Sequence, residues 1–120
     1  MCLRKRYTFP RITLANKKVY KVVDKVEKGY KTPIRDAYVN LGETYKGIFT
    51  EWDIISSMFS KIIEDGYIHC YENITSAKNF KFCDTIIECE IPKWTLYWKG
   101  INGDIVARKL KYLKEYHESI

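Results

Sequence analysis

Thr50-Glu51-Trp52-Asp53-Ile54-Ile55-Ser56-Ser57-Met58-Phe59-Ser60-Lys61-Ile62-Ile63-Glu64-Asp65 decides the fold reading. Trp52, Ile55, Met58, Phe59, Ile62 and Ile63 recur at helical spacing and form one apolar stripe, the pattern of a helix laid on a core. Thr50 is placed to cap the first turn. Glu51 and Asp53 sit where a helix N-terminus is positive, and Gly66 offers a left-handed residue to end it. The spacing predicts an amphipathic helix over 50–65.

Outward from it, the flanking segments read as strands. Tyr67 to Tyr71 alternates, with Ile68 and Cys70 on one face and Tyr67, His69 and Tyr71 on the other. Asn73 or Thr75 caps a short helical turn through Ala77 to Phe80. Cys83 to Ile91 is the strongest strand, stopped by Pro92. Thr95–Lys99 and Asp104–Tyr112 form a hairpin, because Gly100 and Asn102-Gly103 tolerate positive φ. Upstream, Lys18 to Asp24 is a strand with Val19 and Val23 on one face and Tyr20 and Val22 on the other. Glu27-Lys28-Gly29 turns the chain, Thr32-Pro33 interrupts it, Asp36–Asn40 is a second short strand, and Leu41-Gly42-Glu43 turns again. The first eleven residues read as a basic arm or an edge strand. The expectation is one α+β domain over 1–120: a mostly antiparallel sheet of five or six strands with the 50–65 helix packed on it.

The 120 residues are too few for most two-domain enzymes, yet enough to bury a core without metal or disulfide. A hydrophobic share of 46% beside 30% charged residues is globular rather than disordered. No apolar run approaches the ~20 residues of a membrane span. The basic N-terminus is broken by Tyr7-Thr8-Phe9-Pro10 before any apolar signal region, so a cytoplasmic protein is expected. Charge is unevenly spread: residues 1–31 carry a local +8, residues 32–90 a local −5 and residues 91–120 a local +3. Basic ends around an acidic middle point to a surface that attracts nucleotides, nucleic acid or an acidic protein.

Cys2, Cys70, Cys83 and Cys89 lack the paired knuckles of a structural zinc site, so reduced, buried thiols are expected in place of a His69-Cys70-Cys83-Cys89 ligand set. No metal or cofactor is expected. An N-terminal Cys2 nucleophile of the glutamine amidotransferase kind would need a longer domain. Walker, G-x-G-x-x-G, G-x-S-x-G and H-E-x-x-H signatures are absent from the chain. Three constellations remain. Tyr67, His69 and Tyr71 place an imidazole between two phenols. Arg108 shares a strand face with Val106, Leu110 and Tyr112 and so calls for an acidic partner or an anionic ligand. Glu88-Cys89-Glu90, with Tyr20-Lys21 and His69, faintly resembles ADP-ribosyltransferases, which also need an early Arg or His, although their usual Ser-Thr-Ser-like strand is missing at the expected point and Ser56-Ser57 falls inside the predicted helix. The bland alternative for the two acids is the solvent face of a sheet.

Met1-Cys2-Leu3, Val19-Tyr20-Lys21-Val22, Leu41-Gly42-Glu43-Thr44-Tyr45, Gly66-Tyr67-Ile68-His69-Cys70-Tyr71, Ala77, Ile87-Glu88-Cys89-Glu90-Ile91-Pro92-Lys93, Tyr97 and Gly100 follow in order along the chain. In this set the chain resembles a family of small phage and prophage proteins. Where relatives carry a Gly-containing turn after Ile-Pro-Lys, this chain has Trp94-Thr95. The resemblance implies a phage-type accessory protein and brings no activity with it.

The resulting expectation is a non-enzymatic protein that binds a nucleotide-like anion and sequesters a host defence signal. Arg108, Lys99 and Lys109 would hold phosphates, Tyr67, Tyr71 or Trp98 a base, and His69 a hydrogen bond between them. Nucleotides are favoured over nucleic acid, no residue is assigned a catalytic role, and a homo-oligomer, most simply a dimer, is expected. Two competing readings are an inhibitor that binds a host defence protein directly, and an NAD-using ADP-ribosyltransferase-like enzyme.

Overall fold

The computed structural model describes residues 3–4, 10–27, 29–32, 38–47, 62–63, 68–79 and 84–117. In chain order the strands are β1 (Leu3–Arg4), β2 (Arg11–Ile12), β3 (Lys17–Val26), β4 (Gly29–Lys31), β5 (Tyr38–Val39), β6 (Thr44–Lys46), β7 (Ile62–Ile63) and β8 (Ile68–Tyr71). A short helix, α1 (Ile74–Lys78), precedes β9 (Thr85–Ile91), β10 (Leu96–Lys99), β11 (Asp104–Ala107) and β12 (Lys109–Glu115).

The long-helix expectation is corrected. Ile62 and Ile63, expected on the apolar stripe, form β7 and pair antiparallel with Leu3 and Arg4. Residues 50–61, 64 and 65 lie outside the described residues. Among the described residues the one helix is α1, five residues long and capped by Asn73, whose Oδ1 accepts from the Ser76 N–H. The architecture is therefore a mostly antiparallel sheet and not α+β with a long packed helix. The physical reason is that adjacent β-branched residues satisfy helical spacing and strand preference equally, and a pairing partner some sixty positions away leaves no local trace.

The main sheet runs β2-β10-β11-β8-β3-β9-β12-β6, with β4 and β5 continuing from β3. β11 and β12 are separated by Arg108 alone. The path from β11 through β8, β3 and β9 to β12 thus begins and ends on one stretch of chain, so the sheet closes on itself. Closure needs a sharply bent strand, and two irregularities supply the bend. The first is at Arg108. Ile105 and Ala107 are buried in the core on β11, and so are Leu110 and Tyr112 on β12, so the inward phase shifts from odd to even residues across it. Its N–H donates to Leu96 O at 3.0 Å and its carbonyl accepts from the Gly47 N–H at 2.7 Å, tying β10 to the chain beyond β6. The second is the register shift between Tyr112 and Lys114 against β9.

The interior holds Val19, Val23, Cys70, Ile87, Cys89, Ile105, Ala107, Leu110 and Tyr112, all essentially inaccessible. The edge of Tyr45 packs on Tyr112, with centroids 5.5 Å apart. The Val19/Val23 alternation and the inward Cys70 agree with the sequence reading. Lys21, between those two valines, is inward as well and only 8% exposed; its Nζ donates to His69 O at 2.6 Å. α1 sits beside β3 and β8, where Ala77 is buried. Gly103, at φ +75°, closes the β10–β11 hairpin against this helix, and a β-carbon there would collide with Ser76 Oγ.

Leu110 is the first inward residue after the bend. Leu110→Ala should cost about 2–5 kcal/mol, read as a lowered urea midpoint at unchanged slope; a loss below about 0.5 kcal/mol would mean the phase does not reset at Arg108.

Candidate functional site

The register places three of the predicted site residues, Tyr71, His69 and Trp98, on two cross-strand rows of the outward face. Glu88, Tyr20, Tyr71 and Asp104 stand opposite one another across β9, β3, β8 and β11. His69, Val106 and Trp98 form the next row across β8, β11 and β10. Tyr71 is half-buried. Trp98 is 1% exposed, and its indole Nε1 and both ring nitrogens of His69 are shielded from solvent. Lys99 Nζ lies 2.7 Å from Glu72 Oε1, a carboxylate shared with Lys17 at 3.7 Å. Tyr67 lies outside the described residues. These rows are therefore packed sheet face and not an open stacking platform.

The Glu88-Cys89-Glu90 stretch splits as a strand must. Cys89 points inward, while Glu88 is on the opposite face, itself buried but paired with the exposed Lys18 at 3.2 Å and Lys114 at 3.6 Å. Glu88 and His69 belong to different rows, so the structure does not bring them together. Inside, burial pushes the Cys70 thiol up to about 12, and burial together with its neighbour Cys70 raises Cys89 further. Both thiols are free, which makes them inert packing groups at neutral pH. Among the described residues no cluster of His, Cys, Asp and Glu could hold a metal ion; Cys83 is outside them. No helix there is long and apolar enough to cross a membrane.

Arg108 and Lys109 come together, and the register adds residues that sequence reasoning missed. Arg108 is exposed at the bend rather than embedded on an apolar face, because the phase shift takes it out of line with Leu110 and Tyr112. Lys109 stands directly opposite Lys46 on β6, and Lys111 stands opposite Thr44. Leu110, Tyr112 and Tyr45 turn inward, which sends Lys46, Lys109 and Lys111 outward together. Directly opposed side chains have β-carbons about 5 Å apart, and like charges at that spacing repel. Glu90 faces Lys111 from β9, whereas Lys46 and Lys109 face each other, with Arg108 next to them along the chain. Lys46 was invisible in the sequence because nothing local predicts which residue a three-residue edge strand will oppose.

An open groove of about 380 Å³ lies elsewhere, lined by residues that include Lys25, Lys78, Asp84, Glu115, Tyr116 and His117. Its charges are internally matched. Glu115 accepts from Tyr30 Oη at 2.7 Å and pairs with Lys25 at 3.1 Å, while Asp84 accepts from the Lys25 N–H at 3.1 Å. Tyr116 meets the Tyr20 ring edge-on, with centroids 5.9 Å apart. A matched rim has little pull on an anion, so the groove is the weaker candidate.

The groove nevertheless makes stability depend on pH. The Tyr30 hydroxyl, then Lys25, holds the Glu115 carboxyl below its usual range. A lowered folded-state pKa stabilises above the unfolded-state value, and the contribution is lost as pH falls through the folded-state value. Glu115→Gln should therefore flatten the acid limb of the stability curve while leaving the slope above neutrality unchanged; an unaltered acid limb would remove Glu115 from the balance. Comparison with family models, with curated proteins and with solved structures finds no match for this chain.

Proposed function

We propose that the protein is a non-enzymatic binder of a phosphorylated, nucleotide-like anion, held at the sheet corner by Lys46, Lys109 and Arg108, with Lys111 and the Thr44 hydroxyl alongside. The observation that carries this reading is the Lys46–Lys109 opposition across β6 and β12. Neither lysine has an ion-pair partner among the described residues, and placing them opposite costs roughly 0.2–1 kcal/mol in the empty protein. A phosphate group between them removes the repulsion and adds charge-assisted hydrogen bonds. Successive outward residues on a strand are about 6.6 Å apart, so Lys109 and Lys111 span adjacent phosphates of one ligand.

Of the residues first assigned to phosphates, Arg108 and Lys109 remain in this reading, and Lys99 leaves it for Glu72. The resemblance to small phage proteins supplies a setting: sequestering a phosphorylated host defence signal asks for affinity and no chemistry.

Titration calorimetry against nucleoside mono-, di- and triphosphates and cyclic dinucleotides tests the reading. Lys109→Ala and Lys46→Ala should each weaken binding roughly ten- to a hundredfold, the value of a charge-assisted contact. Either change should also stabilise the empty protein by about 0.2–1 kcal/mol, because one member of a repelling pair is gone. Affinity should fall with added salt. The reading fails if no nucleotide binds tighter than about 100 μM, or if both variants bind as the wild type does.

A further inference from the structure

A separate feature lies where β10 begins. Trp94 has φ +65°, the one non-glycine residue at positive φ among those described. A β-carbon in the left-handed region is disfavoured, and for a bulky residue the conformation persists only when its surroundings impose it. Thr13 imposes it. The Trp94 N–H donates to Thr13 O at 2.8 Å, and the Thr13 N–H donates to Thr95 O at 3.1 Å. The Thr95 N–H donates to Thr13 Oγ1 at 2.9 Å, and that hydroxyl donates to Pro92 O at 2.6 Å. The Lys93 N–H adds a bond to Asn16 Oδ1 at 2.9 Å.

This network holds an apolar patch toward solvent. Trp94 is 68% exposed, Leu14 75% and Ile12 55%. Their backbones are adjacent: Ile12 pairs with Leu96, and Thr13, next to Leu14, bonds Trp94 directly. A rigid, exposed tryptophan flanked by aliphatics has the composition of an interface centre. The rim is cationic. Arg11 and Lys93 are exposed beside the patch, and Lys93 Nζ lies 5.2 Å from the Trp94 ring centroid.

We infer that Ile12, Leu14 and Trp94 form a docking surface for an acidic segment of another protein that carries its own apolar side chains. The apolar residues bury against the Trp94 turn while the carboxylates meet Arg11 and Lys93. The rim argues against a second copy of this chain, since an isologous contact would bring two cationic patches together. The inference goes beyond the anion-binding reading and uses different residues.

Selection from a library of displayed random short peptides, followed by fluorescence anisotropy on the enriched sequences, tests it. Enriched peptides should combine Asp or Glu with Leu, Ile, Phe or Trp. Trp94→Gly and Leu14→Ser should each weaken them at least about tenfold. Glycine suits φ +65°, so Trp94→Gly should not lower the melting temperature, which separates loss of docking from loss of fold. Lys46→Ala and Lys109→Ala should leave peptide binding unchanged, so either reading can fail without the other. Enrichment of no peptide, or of peptides without acidic residues, would overturn the inference. So would binding that survives both substitutions, or a wild-type dimer in sedimentation that Trp94→Gly dissolves, which would assign the patch to a second copy.

Discussion

The closed sheet and its cationic corner both depend on the backbone of one residue. At Arg108 the chain shifts its inward phase, so Ala107 and Leu110 both enter the core, while the Arg108 N–H and C=O reach in turn to Leu96 and the Gly47 N–H. Without that extra residue a straight strand could not border both β8 and β9, and the sheet would stay open. The same bend exposes the arginine and sends Lys109 outward opposite Lys46. Closure of the core and the cationic corner are two results of a single backbone irregularity.

Much of the strand pattern was legible. Val19 and Val23 alternate because one face of β3 is buried, Ile-Pro at 91–92 ends β9 because proline cannot donate to a ladder, and Asn73 caps a helix as its side chain allows. The misreadings share a cause. A periodic stripe over 50–65 takes no account of a distant strand, and Ile62–Ile63 pair with Leu3–Arg4. Alternation counted through Val106, Arg108 and Leu110 assumes an unbroken strand, so one extra residue put Arg108 on the wrong face. Register is a tertiary property, and the Lys46–Lys109 opposition is register alone.

Two residues depart from what their side chains prefer. Lys21 points into the core, where the His69 carbonyl receives its ammonium, and Trp94 adopts a backbone conformation suited to glycine under the hold of Thr13. Such departures are expected where a sequence serves something besides its own stability. They differ in kind: Lys21 is enclosed by the sheet, whereas Trp94 is turned toward solvent.

The closed path also has a consequence for the order in which the protein can form. Its members follow one another as β3, β8, β9 and then the β11–β12 stretch, and this last stretch borders both β8 and β9. During synthesis, β3 can pair with β8 and β9 as soon as they emerge, but the far edges of both strands wait for residues 104–115. Until then the nascent sheet carries two unpaired edges and an uncovered apolar face, the state most open to association with other chains. Completion joins contacts distant in sequence, which places this protein among slow, topology-limited folders. The stretch that shapes the cationic corner is thus also the one whose arrival ends the chain's exposure.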